Sequence, residues 1–252
     1  MLNLEVIGEG ATTKIYREGE KAIKLYVNSP SNEVELEAKK QIFAIEAGLP
    51  VPAIYGVRKL SDAVTALDMQ YIAGQPIMHE NMEDDEMIEA IAVLVKLQVM
   101  VHAINATGLT KMQERLARRI SHSDRLVMSL KERLLTLLDF LHDGKSSLCH
   151  GDFHPGNILY DGQKHWLIDW VDATAGNPLA DACRTYLIFL QYKPPFSEIY
   201  LSCFCREAGI KRDDVQIWLP IIAAARLEEN MDEEKRIQLL GILDDFQKKS
   251  KE

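Results

Sequence analysis

Asp152, Asn157 and Asp169 are the side chains whose types and spacing most directly suggest chemistry. They lie in two short runs, HGDFHPGN (150–157) and LIDW (167–170). Pro155 and Gly156 stand between Asp152 and Asn157, which puts both on an irregular loop and not on a helix. The strand-like NILYD and HWLIDW, turning at Asp161-Gly162, form a β-hairpin that returns Asp169 towards the loop. Asn157 and Asp169 then offer hard oxygen ligands, which suit Mg²⁺ better than zinc. Asp152 is left to accept a proton from an attacking hydroxyl.

Three rival readings of the loop are weaker. GDFH has the G-D-x-H form of dinuclear metallophosphoesterases, but the accompanying GNH[DE] and GHxH motifs do not occur in the chain. A zinc site at His150 and His154 wants a further Cys or His at ligand spacing. Cys149 is adjacent, yet neighbouring strand residues point to opposite faces. A purely structural polar turn leaves unexplained the ordered series of features that precedes it.

That series begins with the Gly-rich stretch from Gly8 to Lys14, which joins two strands, whereas a dinucleotide fingerprint opens a helix after one strand. Small residues there let backbone N–H groups approach a phosphate, and threonine hydroxyls add hydrogen bonds. Lys24, in KAIKLY, falls on the strand face opposite Ile23 and Leu25. It can act as a point charge over a phosphate, fixed by a carboxylate of the next helix, where Glu33 and Glu37 share a face. Such a pair, half removed from water, is costly unless an anionic ligand binds beside it.

The elements that must position these residues are an antiparallel set of strands and a series of helices. LEVIG (4–8), TKIYRE (13–18), KAIKLYV (21–27), 53–60 and 63–72 have strand patterns. Between them SNEVELEAKKQIFAIEAG reads as a helix with an Asn32/Glu35 capping box and an apolar stripe of Val34, Ala38, Ile42 and Ile45, stopped by Gly48 and the prolines after it. Helices are expected over 84–105, 111–121, 124–142 (capped by Ser123), 178–192, 196–208, 213–229 and 232–248, interrupted by short strands within 148–170. Strands followed by helices indicate an α+β fold, with a hinge at 72–76 between an N-terminal lobe of strands and one helix (1–72) and a helical C-terminal lobe (73–252).

Composition excludes other classes. The formal charge of −9 argues against a nucleic-acid binder and would suit a cationic substrate. The start of the chain lacks a signal-peptide pattern, and the most apolar stretch (88–104) is broken by Glu89, Lys96, Gln98 and His102. It falls short of the ~20 apolar residues that span a bilayer. No CxxC pair occurs among the four cysteines, so reduced thiols and a cytoplasmic location are expected, with no protein partner evident.

The order Gly-rich hairpin, strand lysine, helix glutamate, Asp-x₄-Asn loop and Asp after a hairpin is the plan of protein kinases. HGDFHPGN with LIDW resembles the aminoglycoside phosphotransferase and choline kinase family, whose loop is HGD-x-H-x-x-N followed by I-D-[WF]. LDMQYIAGQPI is similar to that family's hinge, and GNPLADACRTYLI to its G-D-P-x-x-D-L-A segment, with Asn177 in place of the usual aspartate. The resemblance implies a protein-kinase-like fold and an ATP- or GTP-dependent kinase acting on a small-molecule hydroxyl. It implies Asp152 as base, Asn157 and Asp169 as Mg²⁺ ligands, and Lys24, oriented by Glu37, on the nucleotide phosphates. Gly10, Thr12 and Thr13 would cover the phosphates, and the backbone of Gln70 and Ile72 would meet the purine. With no APE motif and no activation segment, a protein substrate is not expected. The alternative is a nucleotide-binding regulator without catalysis.

Overall fold

The computed structural model describes residues 5–9, 13–79 and 82–248. They fall into two compact units, one within Met1–Asn81 and Pro155–Asp172, the other within Met82–His154 and Ala173–Glu252.

In the first unit, β1 (Glu5–Glu9), β2 (Thr13–Glu18), β3 (Lys21–Val27), β4 (Ile54–Lys59) and β5 (Val64–Gln70) form an antiparallel sheet of order β1-β2-β3-β5-β4. β2 turns into β3 through Gly19 at φ 60°, a conformation that costs glycine little. The register sets Lys24 opposite Ile15 on one side and Leu67 on the other. The helix α1 (Ser31–Glu46) packs on this sheet through Val34 and Ala38, against Tyr26 and Leu67.

Two details of α1 differ from the sequence pattern. Pro30 occupies the capping position with no side-chain cap bond, so the Asn32/Glu35 box does not form. The buried face runs through Val34, Glu37, Ala38, Gln41 and Ala44, leaving Ile42 exposed. Polar partners rotate the helix to this face: Glu37 meets Lys24 and Tyr26, and Gln41 Nε2 donates to the Pro52 carbonyl at 2.8 Å. Gly48, at φ 82°, ends the helix as expected.

A short strand β6 (Gln75–Pro76) follows, and then the helices α2 (Asp84–His102), α3 (Met112–His122) and α4 (Met128–Phe140) and the strand β7 (Ser147–Cys149) of the second unit. The acidic run before α2 is its N-terminal turn: Glu86 Oε2 accepts the Glu83 N–H at 3.0 Å, and Asp84 and Asp85 favour the positive end of the helix dipole. α4 starts later than Ser123 would place it: the Ser123 Oγ accepts the Arg125 N–H at 3.2 Å and donates to Glu228 Oε1 at 2.6 Å, but residues 124–126 form a turn and the helix begins at Met128.

The chain re-enters the first unit through a 3₁₀ turn (Pro155–Asn157), β8 (Ile158–Tyr160) and β9 (His165–Leu167), a sheet of order β6-β8-β9. Asp161 Oδ1 accepts the Gln163 and Lys164 N–H groups to close the hairpin, with Gly162 at φ 92°. A boundary at residue 72 would assign this segment to the helical part. Its bonds tie it to the sheet unit: Leu167 N–H to the Pro50 carbonyl at 2.8 Å, Ile77 N–H to Ile158 at 3.0 Å, and Lys40 Nζ to Val171 at 2.6 Å.

The remainder of the second unit is β10 (Thr174–Gly176), paired with β7, then α5 (Pro178–Tyr192), α6 (Pro194–Ala208), α7 (Arg212–Gln216), α8 (Leu219–Arg226) and α9 (Glu233–Lys248). Asn177 caps α5 by accepting the Leu179 N–H at 2.8 Å, with Pro178 in the first turn. The helix expected over 213–229 is instead α7 and α8, since Pro220 has no N–H to offer the turn before it and Trp218 is buried at the break. No helix of the described residues is long and apolar enough to cross a membrane.

Candidate active site

Lys24 is the organising charge of the first unit. Its strand position buries the side chain, and Nζ lies 2.8 Å from Glu37 Oε1 and 3.0 Å from Asp169 Oδ1. The Tyr26 hydroxyl donates to Glu37 Oε2, so both oxygens of a carboxylate buried on α1 are engaged. Burial alone would push the Lys24 pKa down, but Asp169 and Glu37 outweigh it and hold the ammonium charged. Of the two glutamates that share a helix face, Glu37 pairs with Lys24.

Asp169 follows β9 with φ 64°, a left-handed conformation that Asp tolerates better than most residues and that clusters at functional sites. The Ile168 N–H donates to the Asn157 carbonyl at 3.0 Å, joining the turn that carries Asn157 to the strand end that carries Asp169. Both line a cavity of about 580 Å³, together with Lys24, Glu37 and Gly156. An amide oxygen and a carboxylate on one cavity wall, with an ammonium beside them, make a donor set that fits a hard divalent cation and its phosphate partners.

The same cavity is also lined by Thr13, Gln70 and Ile72. The Gln70 N–H is taken by the Ala53 carbonyl at 2.8 Å, which removes it from ligand recognition. The Ile72 peptide makes no backbone hydrogen bond among the described residues, although the residue is buried, and it remains a natural partner for a ligand edge. Gly10 and Thr12 lie outside the described residues; the strands flanking them pair in register, Glu9 with Lys14, as the Gly-rich hairpin requires.

Asp152 belongs to the second unit and is set by α5. One face of that helix presents Asp181, Arg184 and Thr185, at i, i+3 and i+4. Asp181 accepts the Gly151 N–H at 2.8 Å and the His150 N–H at 3.2 Å, and its other contact is His102 Nε2 at 2.9 Å. The Thr185 hydroxyl donates to the Phe153 carbonyl at 2.8 Å. Arg184 Nη2 donates to Asp152 Oδ1 at 3.1 Å, and the His154 ring lies 3.4 Å from Asp152 Oδ2. Burial would raise the Asp152 pKa, but the His154 hydrogen bond and the Arg184 charge dominate and hold the carboxylate well below its usual range. Asp152 is therefore ionised at neutral pH.

The sequence reading gave no role to Asp181, Arg184, Thr185 or Tyr26; the i, i+3, i+4 spacing behind the Asn177 cap was the available signal for the first three. His150 is buried and meets Phe153 edge-on at 5.4 Å between centroids, a packing role. His102, Cys149 and Asp181 cluster at metal-ligand distance, but burial pushes the Cys149 thiol far above its ordinary pKa, which keeps it protonated and a poor ligand.

The model of the phosphotransferase enzyme family, APH, matches residues 3–213. The chain belongs to this family. It is a small-molecule kinase, and its α+β fold is that of the aminoglycoside phosphotransferases. A thermostable mutant of aminoglycoside phosphotransferase APH(4)-Ia, in ternary complex with ADP and hygromycin B, superposes with a TM-score of 0.71 at 16% identity, covering 96% of this chain and 92% of that one. The GDP and kanamycin complex of APH(2")-IIIa gives 0.64 at 18% identity, covering 97% and 92%. Aminoglycoside-3'-phosphotransferase of type VIII gives 0.61 at 18%, covering 97% and 93%. No curated protein matches the chain.

Proposed function

We propose that this phosphotransferase moves the γ-phosphoryl group of ATP or GTP onto a hydroxyl of a small molecule. The observation that carries the reading is the convergence of Lys24, Glu37, Asp169 and Asn157 on one cavity. In it the nucleotide base would lie against the Ile72 peptide, and the phosphates under Thr13 and against Lys24. Solved relatives hold ADP, AMP-PNP or GDP, which supports a nucleotide co-substrate.

Asn157 and Asp169 would hold Mg²⁺, which when bound neutralises charge on the phosphate oxygens. Lys24 contributes a fixed positive charge to the same phosphates, and Glu37 with Tyr26 keeps its ammonium in place. Asp152, ionised and oriented by Arg184, accepts the proton as the substrate hydroxyl oxygen bonds to phosphorus. The bond from phosphorus to the β–γ bridging oxygen breaks, and the nucleoside diphosphate leaves with that electron pair.

The test is an ADP-release screen over aminoglycosides, macrolides, amino alcohols, sugars and nucleosides, with Asp152→Asn as control. At least one acceptor should turn over, and the variant should lose roughly 10²–10⁴ in rate. Undiminished turnover in Asp152→Asn would overturn the assignment of the base.

A further inference from the structure

The second unit holds a cavity of about 190 Å³ that neither Asp152 nor Arg184 lines. Its wall is apolar: Met112 and Leu116 of α3, Leu138 and Leu141 at the end of α4, and Ala175 of β10. An apolar cavity of roughly 150 Å³ accepts a benzene ring. This one therefore has room for a single ring and a short substituent.

Trp218, between α7 and α8, completes the wall and is 4% exposed. Indole N–H groups so buried ordinarily find an acceptor. Those of the other two tryptophans do: Trp166 donates to Asp161 Oδ2 at 2.6 Å, and Trp170 to the Leu167 carbonyl at 3.2 Å. Trp218 Nε1 makes no hydrogen bond among the described residues. The nitrogen is nonetheless not sealed by other atoms, so its N–H opens on the space that the ring lines.

Two polar side chains of the wall have their oxygens engaged with each other and with the backbone. Asp143 Oδ1 accepts the Lys145 N–H at 3.1 Å, and Asp143 Oδ2 accepts Asn177 Nδ2 at 3.0 Å. Asn177 Oδ1 accepts the Leu179 N–H at 2.8 Å. An indole nitrogen only donates, so what Trp218 lacks is an acceptor oxygen, within reach of a ligand that fills the apolar space.

The cavity also borders the support of the Asp152 loop. Ala175, Gly176 and Asn177 line it and lead into α5, whose Asp181 holds the Gly151 N–H. Gly176 packs so tightly that a β-carbon there would lie 2.4 Å from Met112 Cβ. Close-packed interiors transmit such displacements. We propose that the cavity is an effector site for a single-ring apolar molecule whose carbonyl or carboxylate oxygen accepts the Trp218 N–H. Its occupancy moves the loop that carries Asp152.

The test is a titration of the isotope-labelled full chain, followed by proton–nitrogen NMR with the three indole resonances and the Gly151 amide assigned. Phenylacetamide and phenylacetate offer the ring with an acceptor oxygen; phenethylamine offers the same ring with a donor only. The amide or the acid should shift the Trp218 indole resonance saturably and move the Gly151 amide with it, and the two arms separate a neutral acceptor from a charged one. Trp218→Phe keeps the apolar wall and should weaken binding about three- to tenfold. No saturable shift with either acceptor, equal binding of phenethylamine, an unmoved Gly151 amide, or full affinity in Trp218→Phe would each overturn the proposal. If Trp218→Phe does not fold, the wild-type resonances decide alone. Turnover is not read, so failure here leaves the phosphotransfer reading standing.

Discussion

Asp181 Oδ1 accepts the Gly151 N–H at 2.8 Å, so a carboxylate on α5 holds the backbone that presents Asp152. Gly151 has φ 81°, which a β-carbon would strain, so the turn depends on both partners. Asp181→Ala would leave His102 and two backbone N–H groups without their acceptor in a buried site. The expected cost is about 3–5 kcal/mol, a melting-point drop of roughly 6–20 °C for a chain of this size, read by thermal unfolding.

The same carboxylate predicts a pH dependence. Burial works against its ionised form, but the hydrogen bond to His102 and the other favourable contacts lower its pKa below 3.8. Its stabilisation is therefore fully present above the unfolded value and is lost as pH falls through the folded one. Asp181→Asn should flatten the stability profile below about pH 4 relative to the wild type, measured by denaturant unfolding across pH. Parallel wild-type and variant curves there would show that Asp181 is not a source of acid lability.

Tyr26→Phe removes the hydroxyl that donates to Glu37 Oε2 and leaves the Lys24 contact in place. A charge-assisted hydrogen bond of this kind contributes about 1.5–3 kcal/mol, part of which should appear as a higher KM for ATP. Steady-state kinetics should show KM rising severalfold with kcat changing less, because the lysine is held less firmly but not removed. Lys24→Met should affect both constants.

Asp169→Asn keeps the side-chain shape but removes the charge that pairs with Lys24 and that the proposed Mg²⁺ would use. Mg²⁺-dependent ATP affinity should fall by about tenfold or more, while metal-free nucleotide binding changes little, as measured by titration calorimetry with and without the ion. An unchanged titration would overturn the proposed metal role of Asp169.

Local signals made much of this legible. β2 and β3 follow their β-branched patterns residue for residue, and the Asn177-Pro178 pair starts α5 where capping chemistry places it. Lys24 and Glu37 meet because strand alternation and helix periodicity each fix one of them on a facing surface. The α1 stripe was misread because apolarity alone cannot foresee that Glu37 and Gln41 find buried partners. Asp181, Arg184 and Thr185 carried only a weak signal, for a related reason. Their roles depend on which loop α5 faces, a tertiary fact, and an i, i+3, i+4 polar face otherwise reads as solvent-exposed.

Asn177 stands where the family resemblance expects aspartate, and the structure gives that amide a second use. Its Oδ1 caps α5, while Nδ2 donates to Asp143 Oδ2 at 3.0 Å. Asp143 is paired with Lys145 at 2.9 Å and is held below its ordinary pKa: burial opposes this, and the bonds to Lys145 outweigh it. Asn177→Asp would keep the cap, and even favour it through the helix dipole, but would set a carboxylate against an ionised Asp143. The net expectation is a loss of about 1–2 kcal/mol at neutral pH, shrinking as either carboxylate is protonated. A double-mutant cycle with Asp143→Asn separates the two effects. The aspartate should be tolerated, or stabilising, once Asp143 is neutralised, and additivity of the two substitutions in chemical denaturation would show that the pair is not coupled.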